Sequence, residues 1–336
     1  MRAVIVAAAL AAAGPAWGWE KAHEGAGIER FTERGGKLWA LPGLSSSTDR
    51  GKSWVEGLDA VGLLDSDVSD DRREISVLPK NYLHLQKLDD EEETLNDGVQ
   101  ALAAISARFL GRTAMVIGFS RDSKDDKVGV LISRDDGASW TTALSGPLDW
   151  RVRPYVLDEK RAWICSGDGI AVIWRTVNGG RDWERSSAST PLFGECDELF
   201  FLDKKRGWAS IGSGAARTIH ATDDGGDEWE TRGTISLSTA GSVSLAFADK
   251  NRGWAAAPGA FWETADGGKT WTSRPAPPSA VLPEAVALRY VEERGGGRLL
   301  YGTSLSEVLP EDDEANVTGR ETRSRGEIWK LEAPAP

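Results

Sequence analysis

The chain has 336 residues, of which 40% are apolar, and it carries a formal net charge of −12. Because this acidic balance repels phosphate backbones and anionic lipid, we do not expect nucleic acid as a partner. No segment beyond the N-terminus is apolar over the length that a transmembrane helix needs, so membrane insertion is not expected either. Fifteen Trp against two Met and three His is a skewed usage that a packing or binding role must explain.

The N-terminus is typical of a cleaved export signal. Arg2 supplies a positive charge, residues 3–13 are apolar, and small residues occupy the −3 and −1 positions before Trp19. We therefore expect residues 1–18 to be a signal peptide and residues 19–336 to form a single domain. The absence of Cys at the cleavage junction argues against a lipoprotein. The expected location is the periplasm or the extracellular space.

One octapeptide pattern, Ser/Thr-x-Asp/Asn-x-Gly-x-x-Trp, recurs five times along the chain. Successive copies are about 42–46 residues apart, except for a first interval of about twice that length. A further copy is expected near position 92, and Thr94–Gly98 is interpreted as a degenerate version of it. The pattern residues are Ser47, Asp49, Gly51 and Trp54; Ser133, Asp135, Gly137 and Trp140; Thr176, Asn178, Gly180 and Trp183; Thr222, Asp224, Gly226 and Trp229; and Thr264, Asp266, Gly268 and Trp271.

A second pattern, Asp-x-x-Arg-Gly/Ala-Trp, runs in phase with the first at Asp158–Trp163, Asp203–Trp208 and Asp249–Trp254. A short β-rich run precedes each copy, so one unit reads as four strands separated by turn signals. Four strands in a period of about 40–45 residues are typical of a propeller blade. In the sixth unit the strands are predicted at about residues 242–249, 254–257, 260–264 and 270–274.

The sequence therefore predicts an all-β fold, a seven-bladed β-propeller of four-stranded antiparallel blades. Its last blade has no recognisable octapeptide, as an atypical terminal repeat that helps to close the ring. The predicted blades are approximately residues 28–57, 74–101, 105–143, 151–186, 197–232, 242–274 and 284–333.

The octapeptide has a structural explanation. A tight turn leaves backbone N–H groups without strand partners, and a Ser/Thr hydroxyl and an Asp or Asn oxygen can accept from them locally. The Gly supplies a positive φ, and the Trp is expected to bury its ring between sheets. The two patterns account for eight Trp, so the Trp content needs no sugar-stacking role.

The octapeptides are Asp boxes, also called BNR repeats. Their pairing with Asp-x-x-Arg-Gly-Trp resembles the photosystem II assembly and stability factor family, most clearly over residues 150–275. The resemblance implies an exported or lumenal seven-bladed propeller that binds partner proteins during membrane-complex assembly. Asp boxes also occur in sialidases, xyloglucanases and sorting receptors, so the box alone does not indicate a chemistry.

No catalytic apparatus is recognisable. A sialidase-like site would need three clustered Arg, a Tyr nucleophile with an acidic partner and an Asp acid/base, and none of the four Tyr has a characteristic setting. A divergent sialidase-like glycoside hydrolase stays as the alternative, because 52 acidic residues always permit some carboxylate pair. The scattered His23, His84 and His220 predict no metal site, and no motif predicts a cofactor.

Propeller geometry places the boxes and the Arg-Gly-Trp turns on one face, so we expect a ligand on the opposite face. The candidate binding residues there are Arg121, Asp122, Lys124, Trp150, Arg151, Arg153 and Asp168. A solvated loop with local salt bridges is the alternative for these residues. We expect a monomeric, non-catalytic binding or assembly scaffold for a protein or peptide partner, with a subunit of a membrane complex as one candidate. A purely structural module is the third hypothesis.

Two further features leave alternatives open. Cys165 and Cys196 permit a disulfide in an oxidising compartment, or they are two buried free thiols. The acidic runs Asp65–Asp71, Asp89–Glu93 and Glu311–Glu314 are interpreted as solvated loops, because none has the ligand spacing of a calcium loop.

Overall fold

The computed structural model describes residues 18–57, 63–71, 73–78, 82–87, 94–97, 102–120, 128–148, 151–167, 169–279, 283–293, 296–308 and 322–334. The predicted signal peptide lies outside these residues, apart from Gly18. All regular elements in the described ranges are β-strands. No helix in this part of the chain could cross a membrane.

The first half of the chain contains twelve strands: β1 (Glu20–Ala26), β2 (Ile28–Arg34), β3 (Lys37–Pro42), β4 (Ser45–Ser47), β5 (Asp65–Val68), β6 (Arg73–Leu78), β7 (Tyr82–Lys87), β8 (Thr94–Asp97), β9 (Leu102–Leu110), β10 (Thr113–Ser120), β11 (Val128–Ser133) and β12 (Thr141–Leu148). The second half contains sixteen: β13 (Arg153–Val156), β14 (Ala162–Ser166), β15 (Val172–Thr176), β16 (Glu184–Arg185), β17 (Ser187–Ala188), β18 (Glu195–Phe201), β19 (Gly207–Ser213), β20 (Ala216–Thr222), β21 (Glu228–Ser236), β22 (Ser244–Phe247), β23 (Gly253–Ala257), β24 (Ala260–Thr264), β25 (Thr272–Arg274), β26 (Ala285–Glu293), β27 (Gly296–Val308) and β28 (Thr322–Pro334).

These strands form seven sheets, which confirms the seven-bladed propeller. We letter the strands of a blade A to D from the central axis outwards. Most sheets are four-stranded and antiparallel; blade 1 pairs only β2, β3 and β4, and blade 5 gains the short parallel strand β17 at its rim. In blade 6 the observed strands β22 to β25 agree closely with the predicted positions.

The ring is closed by the N-terminal strand, which the sequence did not indicate. β1 pairs antiparallel with β28 and becomes the outermost strand of blade 7, with Glu20 opposite Lys330 and Ala26 opposite Arg325. The first and last strands of the domain therefore share one sheet. Without β1, blade 7 would have only three strands.

The hydrophobic core is distributed between the blades. Seven clusters of buried apolar side chains occur in the described residues, and each combines residues from two neighbouring blades. The cluster between blades 7 and 1 packs Ile28 against Leu300 and Ile328, for example. Each sheet thus buries both faces, and the ring is stabilised at every interface.

Two predictions in blade 2 are wrong. Its inner strand is β5, which starts at Asp65, so the blade begins well before residue 74, and Asp65 and Asp67 of the first acidic run lie in this strand while Asp70 and Asp71 lie in an exposed turn as expected. The carboxylates of Asp65 and Asp67 bond instead to Arg30 and Arg108 on the neighbouring blades. Thr94–Asp97 is strand β8, paired with β7, so it is not a degenerate box turn. The other two acidic runs lie outside the described residues.

The box turns satisfy their own polar groups. In the first box the Ser47 hydroxyl accepts from the Gly51 N–H at 2.8 Å and donates to Asp49, which accepts from the Ser53 N–H at 2.9 Å. The same Gly-to-hydroxyl bond occurs in the other four boxes at 2.8–3.0 Å. Each box Gly has a φ between 77° and 89°, where a side chain would be strained.

Backbone bonds join the boxes to the A–B turns of the same blade. The N–H groups of Gly179, Gly225 and Gly267 donate to carbonyls of residues 160, 205 and 251 at 2.7–2.9 Å. Boxes and A–B turns therefore share one end of the propeller, which we call the box face. The B–C and D–A connections lie at the other end, which we call the loop face.

The strand-B Trp residues link successive blades. Trp163 stacks on Phe201 of the next blade with ring centroids 3.5 Å apart, and its indole N–H donates to the box carbonyl of Gly225 at 2.9 Å. Trp208 repeats this with Phe247 at 3.7 Å and Gly267 at 3.0 Å. By contrast, only Trp229 among the five box Trp is fully buried. The rings of the other four are partly buried and pack against the clusters between blades, so the expected burial is only partial for them.

The Gly of Arg-Gly-Trp makes room for this stacking. A Cβ on Gly207 would lie 2.5 Å from the ring of Phe201, and one on Gly253 would lie 2.3 Å from Phe247. Blade 4 has Ala162 at the same place, opposite Val156 rather than a ring. The Gly is therefore required where the last residue of strand A is aromatic.

Candidate binding face and central cavity

An exposed apolar pair marks the loop face between blades 4 and 5. Ile170, in the B–C loop of blade 4, and Phe193, in the connection to blade 5, are 52% and 66% exposed. They face each other across an isolated β-bridge. An exposed Phe beside an exposed Ile on one surface is the kind of feature that marks a protein interaction site.

This pair is held on a rigid base. The Ala171 N–H donates to the Leu192 carbonyl at 2.8 Å, and the Gly194 N–H donates to the Gly169 carbonyl at 2.9 Å. Beneath them Cys165 of β14 and Cys196 of β18 form a disulfide, with Cα atoms 6.0 Å apart. The bridge joins the two blades that carry the pair, so the apolar surface is preorganised.

The structure describes only two of the seven candidate binding residues. Arg151 forms an ion pair with Glu195 at the start of blade 5, and Arg153 is exposed and lines the central cavity. These neighbours in the sequence therefore have different surroundings. The other five candidates, Arg121, Asp122, Lys124, Trp150 and Asp168, lie outside the described residues.

The strand-A residues enclose a central cavity of about 920 Å³. Towards the box face its wall is aromatic, with Tyr155, Phe200 and Tyr290. Towards the loop face, where β2 and β13 begin, its wall carries Glu29 and Arg153. The box-face end also carries charged residues where β2 and β26 end, among them Arg34 and Glu292, so both ends of the cavity are charged.

Buried ion pairs make up much of the charged wall. Arg30 bonds to Asp67 at 3.2 Å and lies 3.6 Å from Asp65, which is also paired with Arg108. Because burial of an unpaired charge is costly, each of these groups needs its partner. On the blade 5 side, Arg217 pairs with Asp197.

Two carboxyl groups of the cavity differ from these pairs. Burial raises the pKa of Glu198 to about 7, although Arg153 and a hydrogen bond from Ser244 act in the opposite direction. Burial also raises the pKa of Glu29, and nearby Asp65 adds to this. Neither carboxylate has a cationic ion-pair partner among the described residues.

Sequence reasoning missed Ile170, Phe193, Glu29 and Glu198, because none of them belongs to a repeat. Phe193 gave one usable signal: it is an apolar residue inside Pro191–Gly194, a segment with turn composition. Glu29 and Glu198 gave none, because the residues that surround them are distant in the sequence. In the described ranges no group of three or more His, Cys, Asp or Glu could hold a metal ion.

Comparison with known proteins identifies similar folds but no close relative. No family model matches the sequence. No curated protein matches it either. YCF48 from Cyanidioschyzon merolae is similar in structure, with a TM-score of 0.58 and 13% identity over 93% of this chain and 98% of that chain. A structure of YCF48 bound to D1 peptide gives a TM-score of 0.56 and 15% identity over 95% and 96% of the two chains.

A GH74 xyloglucanase from Xanthomonas campestris is similar to the same degree, with a TM-score of 0.57 and 13% identity. The match covers 85% of this chain and 53% of the enzyme, so this chain spans about half of its length. At these identities the similarity establishes the fold and leaves the chemistry open. The chain therefore has the seven-bladed propeller fold of the photosystem II assembly factor YCF48, as the paired repeats indicated.

Proposed function

We propose that this chain is an exported, non-catalytic binding or assembly-scaffold protein that recognises a protein or peptide partner through its loop face. The observation that carries the proposal is the exposed, backbone-anchored pair Ile170 and Phe193. Arg153, which begins β13 at the same end of blade 4, can bind a carboxylate of the partner in a bidentate manner. The similar YCF48 propeller bound to D1 peptide is a precedent for peptide binding on this fold.

The test is capture of a partner from an envelope extract, followed by affinity measurement with purified components. Ile170→Ser on the loop face has a matched control in Val177→Ser on the box face, since Val177 is also β-branched and 54% exposed. We expect Ile170→Ser and Phe193→Ser to weaken binding at least about tenfold, while Val177→Ser retains wild-type affinity. Equal losses on both faces, or no partner above background, would contradict the proposal.

Glycoside hydrolysis is the second candidate, favoured by Glu198. Burial raises the pKa of Glu198 to about 7 and also raises that of Asp197, the next residue along β18. A carboxyl that is protonated near neutral pH is suited to general acid catalysis. Turnover of aryl glycosides that Glu198→Gln abolishes would support this function. If no substrate in a broad panel turns over, the binding function stands alone.

A further inference from the structure

A continuous part of the loop face on blades 4 to 6 contains no charged residue. It consists of the ribbon that carries Ile170 and Phe193 and of the next three connections, namely residues 169–171, 192–194, 213–216, 236–242 and 257–260. We call this surface the neutral belt. Charged residues make up 27% of the chain, and the A–B turns of the same blades on the box face each contain at least three of them. The two ends of these blades therefore differ sharply in charge.

The parts of the neutral belt touch one another. A Cβ on Gly194 would lie 2.4 Å from the backbone of Gly212, so the ribbon lies directly against the end of strand B in blade 5. The Leu237 N–H donates to the Ala215 carbonyl at 2.8 Å, which joins the B–C loop of blade 5 to the following connection. Residues of this connection and of the B–C loop in blade 6 line one small groove. The belt is therefore a single surface that crosses three blades.

The neutral belt has little relief. Its exposed positions include Gly214, Ala215 and Ala240, which have no side chain or only a methyl group. Small residues let the backbone of a ligand approach closely. Ile170 and Phe193 stand at one end of this low surface, and more than half of each residue is exposed. This shape suits an extended segment that lies across the face and packs one apolar side chain against the pair.

Two charged residues directly follow parts of the belt, and both are paired within the protein. Glu195, next to the ribbon, forms an ion pair with Arg151, and Arg217, next to the B–C loop of blade 5, pairs with Asp197. A charge of the partner that is buried against the belt would lose its water and find no opposite charge among the residues of the belt. The belt therefore selects against a charged segment of either sign.

We propose that the neutral belt binds an extended, uncharged segment of the partner protein, with an aliphatic or aromatic side chain of that segment packed against Ile170 and Phe193. This inference rests on the proposed function and adds the chemistry of the partner. Nucleic acid or an anionic lipid surface would require basic residues, of which the belt has none. The buried centres of protein–protein interfaces are depleted of charged residues in the same way.

Selection from a phage-displayed library of random short peptides on the full mature chain tests this chemistry. Peptides whose binding is weakened by Phe193→Ser are retained, because they bind at the loop face. We expect the retained peptides to contain fewer Asp, Glu, Lys and Arg residues than the unselected library. Retained peptides that are as charged as the library, or a selection that retains none, would overturn the proposal.

Insertion of a charge into the belt gives a sharper test. Ala215→Asp and Ala215→Lys place opposite charges at the same exposed position. Both should weaken binding of a retained peptide at least about tenfold, because an uncharged segment pairs with neither charge. Ala240→Asp and Ala240→Lys should have the same effect, and they take over the test if an Ala215 variant fails to fold. If one sign weakens binding and the other strengthens it, the bound segment is charged and the proposal is overturned.

Ala138 on the box face provides the matched control. It is an exposed Ala at the box position where other boxes have Lys52, Arg181 or Asp227, so either charge is compatible with the turn. Ala138→Asp and Ala138→Lys should leave peptide binding unchanged. Thermal unfolding of each variant shows whether it is folded. Equal losses in the Ala138 and Ala215 variants would overturn the proposal.

The captured partner separates this inference from the proposed function. A partner that binds more weakly to Phe193→Ser, but responds to Ala215→Asp and Ala215→Lys in opposite directions, would retain the proposed function and overturn only the uncharged segment. Sedimentation of the chain alone tests for a second copy on the belt. A dimer that Ala215→Lys dissociates would show that the belt pairs with itself and would also overturn the proposal.

Discussion

The box face and the central cavity are built from different kinds of residue. On the box face the same side chains recur in five blades, and Ser53 and Ser139 hold the carboxyl pKa values of Asp49 and Asp135 low by hydrogen bonding. In the cavity the charged residues follow no repeat, and burial raises the pKa of Glu29 and Glu198. The repeated residues satisfy one another and maintain the fold. The charged residues that belong to no repeat are less completely compensated by the fold, and they are the ones that a ligand can pair with.

The largest predicted effect concerns the Trp stacking that underlies the box face. Trp208→Ala removes a ring that stacks on Phe247 and leaves the Gly267 carbonyl without its donor, so we expect a loss of about 3–5 kcal/mol. Denaturant unfolding followed by circular dichroism measures it. The control Trp183→Ala removes a partly exposed box ring and should cost clearly less. Equal losses of unfolding free energy in the two variants would contradict the claim that the strand-B Trp stabilise the fold more than the box Trp do.

The disulfide is predicted to have the next largest effect, and it belongs to the loop face. Replacing Cys165 and Cys196 together by Ala opens a link across a sequence separation of 31 residues. We expect a loss of about 3 kcal/mol of unfolding free energy. Dithiothreitol should destabilise the wild type by a similar amount and should not affect the double variant. A stable reduced wild type would contradict this prediction.

Glu198 and Asp49 should respond to pH in opposite directions. The folded chain holds a proton on Glu198 up to about pH 7, while the unfolded chain loses it near pH 4.5, so wild-type stability falls as pH rises through this range. Glu198→Gln should therefore be stabilised relative to wild type by about 1–2 kcal/mol above pH 7, with no gain below pH 4.5.

The pKa of Asp49 is lowered in the folded chain, so its contribution to stability is present at neutral pH and is lost in acid. Asp49→Asn should therefore destabilise the protein most above pH 4. Chemical denaturation across the pH range follows both variants. If both show the same sign at pH 8, the contrast between the two regions does not hold.

The smallest predicted effect is that of a single box hydroxyl. Thr264→Val keeps the shape of the side chain but removes the acceptor for the Gly268 N–H, which should cost about 1 kcal/mol. Thr264→Ser keeps the hydroxyl and should cost less. Thermal unfolding of the pair measures the difference, and a Val variant as stable as the Ser variant would show that the bond contributes little.

The repeats were sufficient to predict the number of blades and the strands of blade 6, because turn chemistry and Trp spacing are local signals. β1 was missed since its partner β28 lies at the other end of the chain. Asp65 and Asp67 were misinterpreted since the Arg residues that compensate their burial are on other blades. Long-range charge compensation leaves no periodic pattern in the sequence.

The surface that we propose for binding could be foreseen from the sequence only in part. Propeller geometry indicated the loop face and included Arg153, which the structure places at the cavity. The apolar pair Ile170 and Phe193 was not foreseen, because exposure of an apolar residue depends on how its loop is anchored. Glu198 resembles any other strand residue until the neighbouring blades surround it.

Hydrogen–deuterium exchange of the chain with its captured partner tests the central claim most directly, namely that recognition occurs on the face opposite the boxes. We predict that bound partner slows amide exchange in residues 169–171 and 189–194. The five box turns should exchange at the same rate with and without partner, since they lie at the other end of the propeller. Protection confined to the boxes, with the loop face unchanged, would contradict the claim.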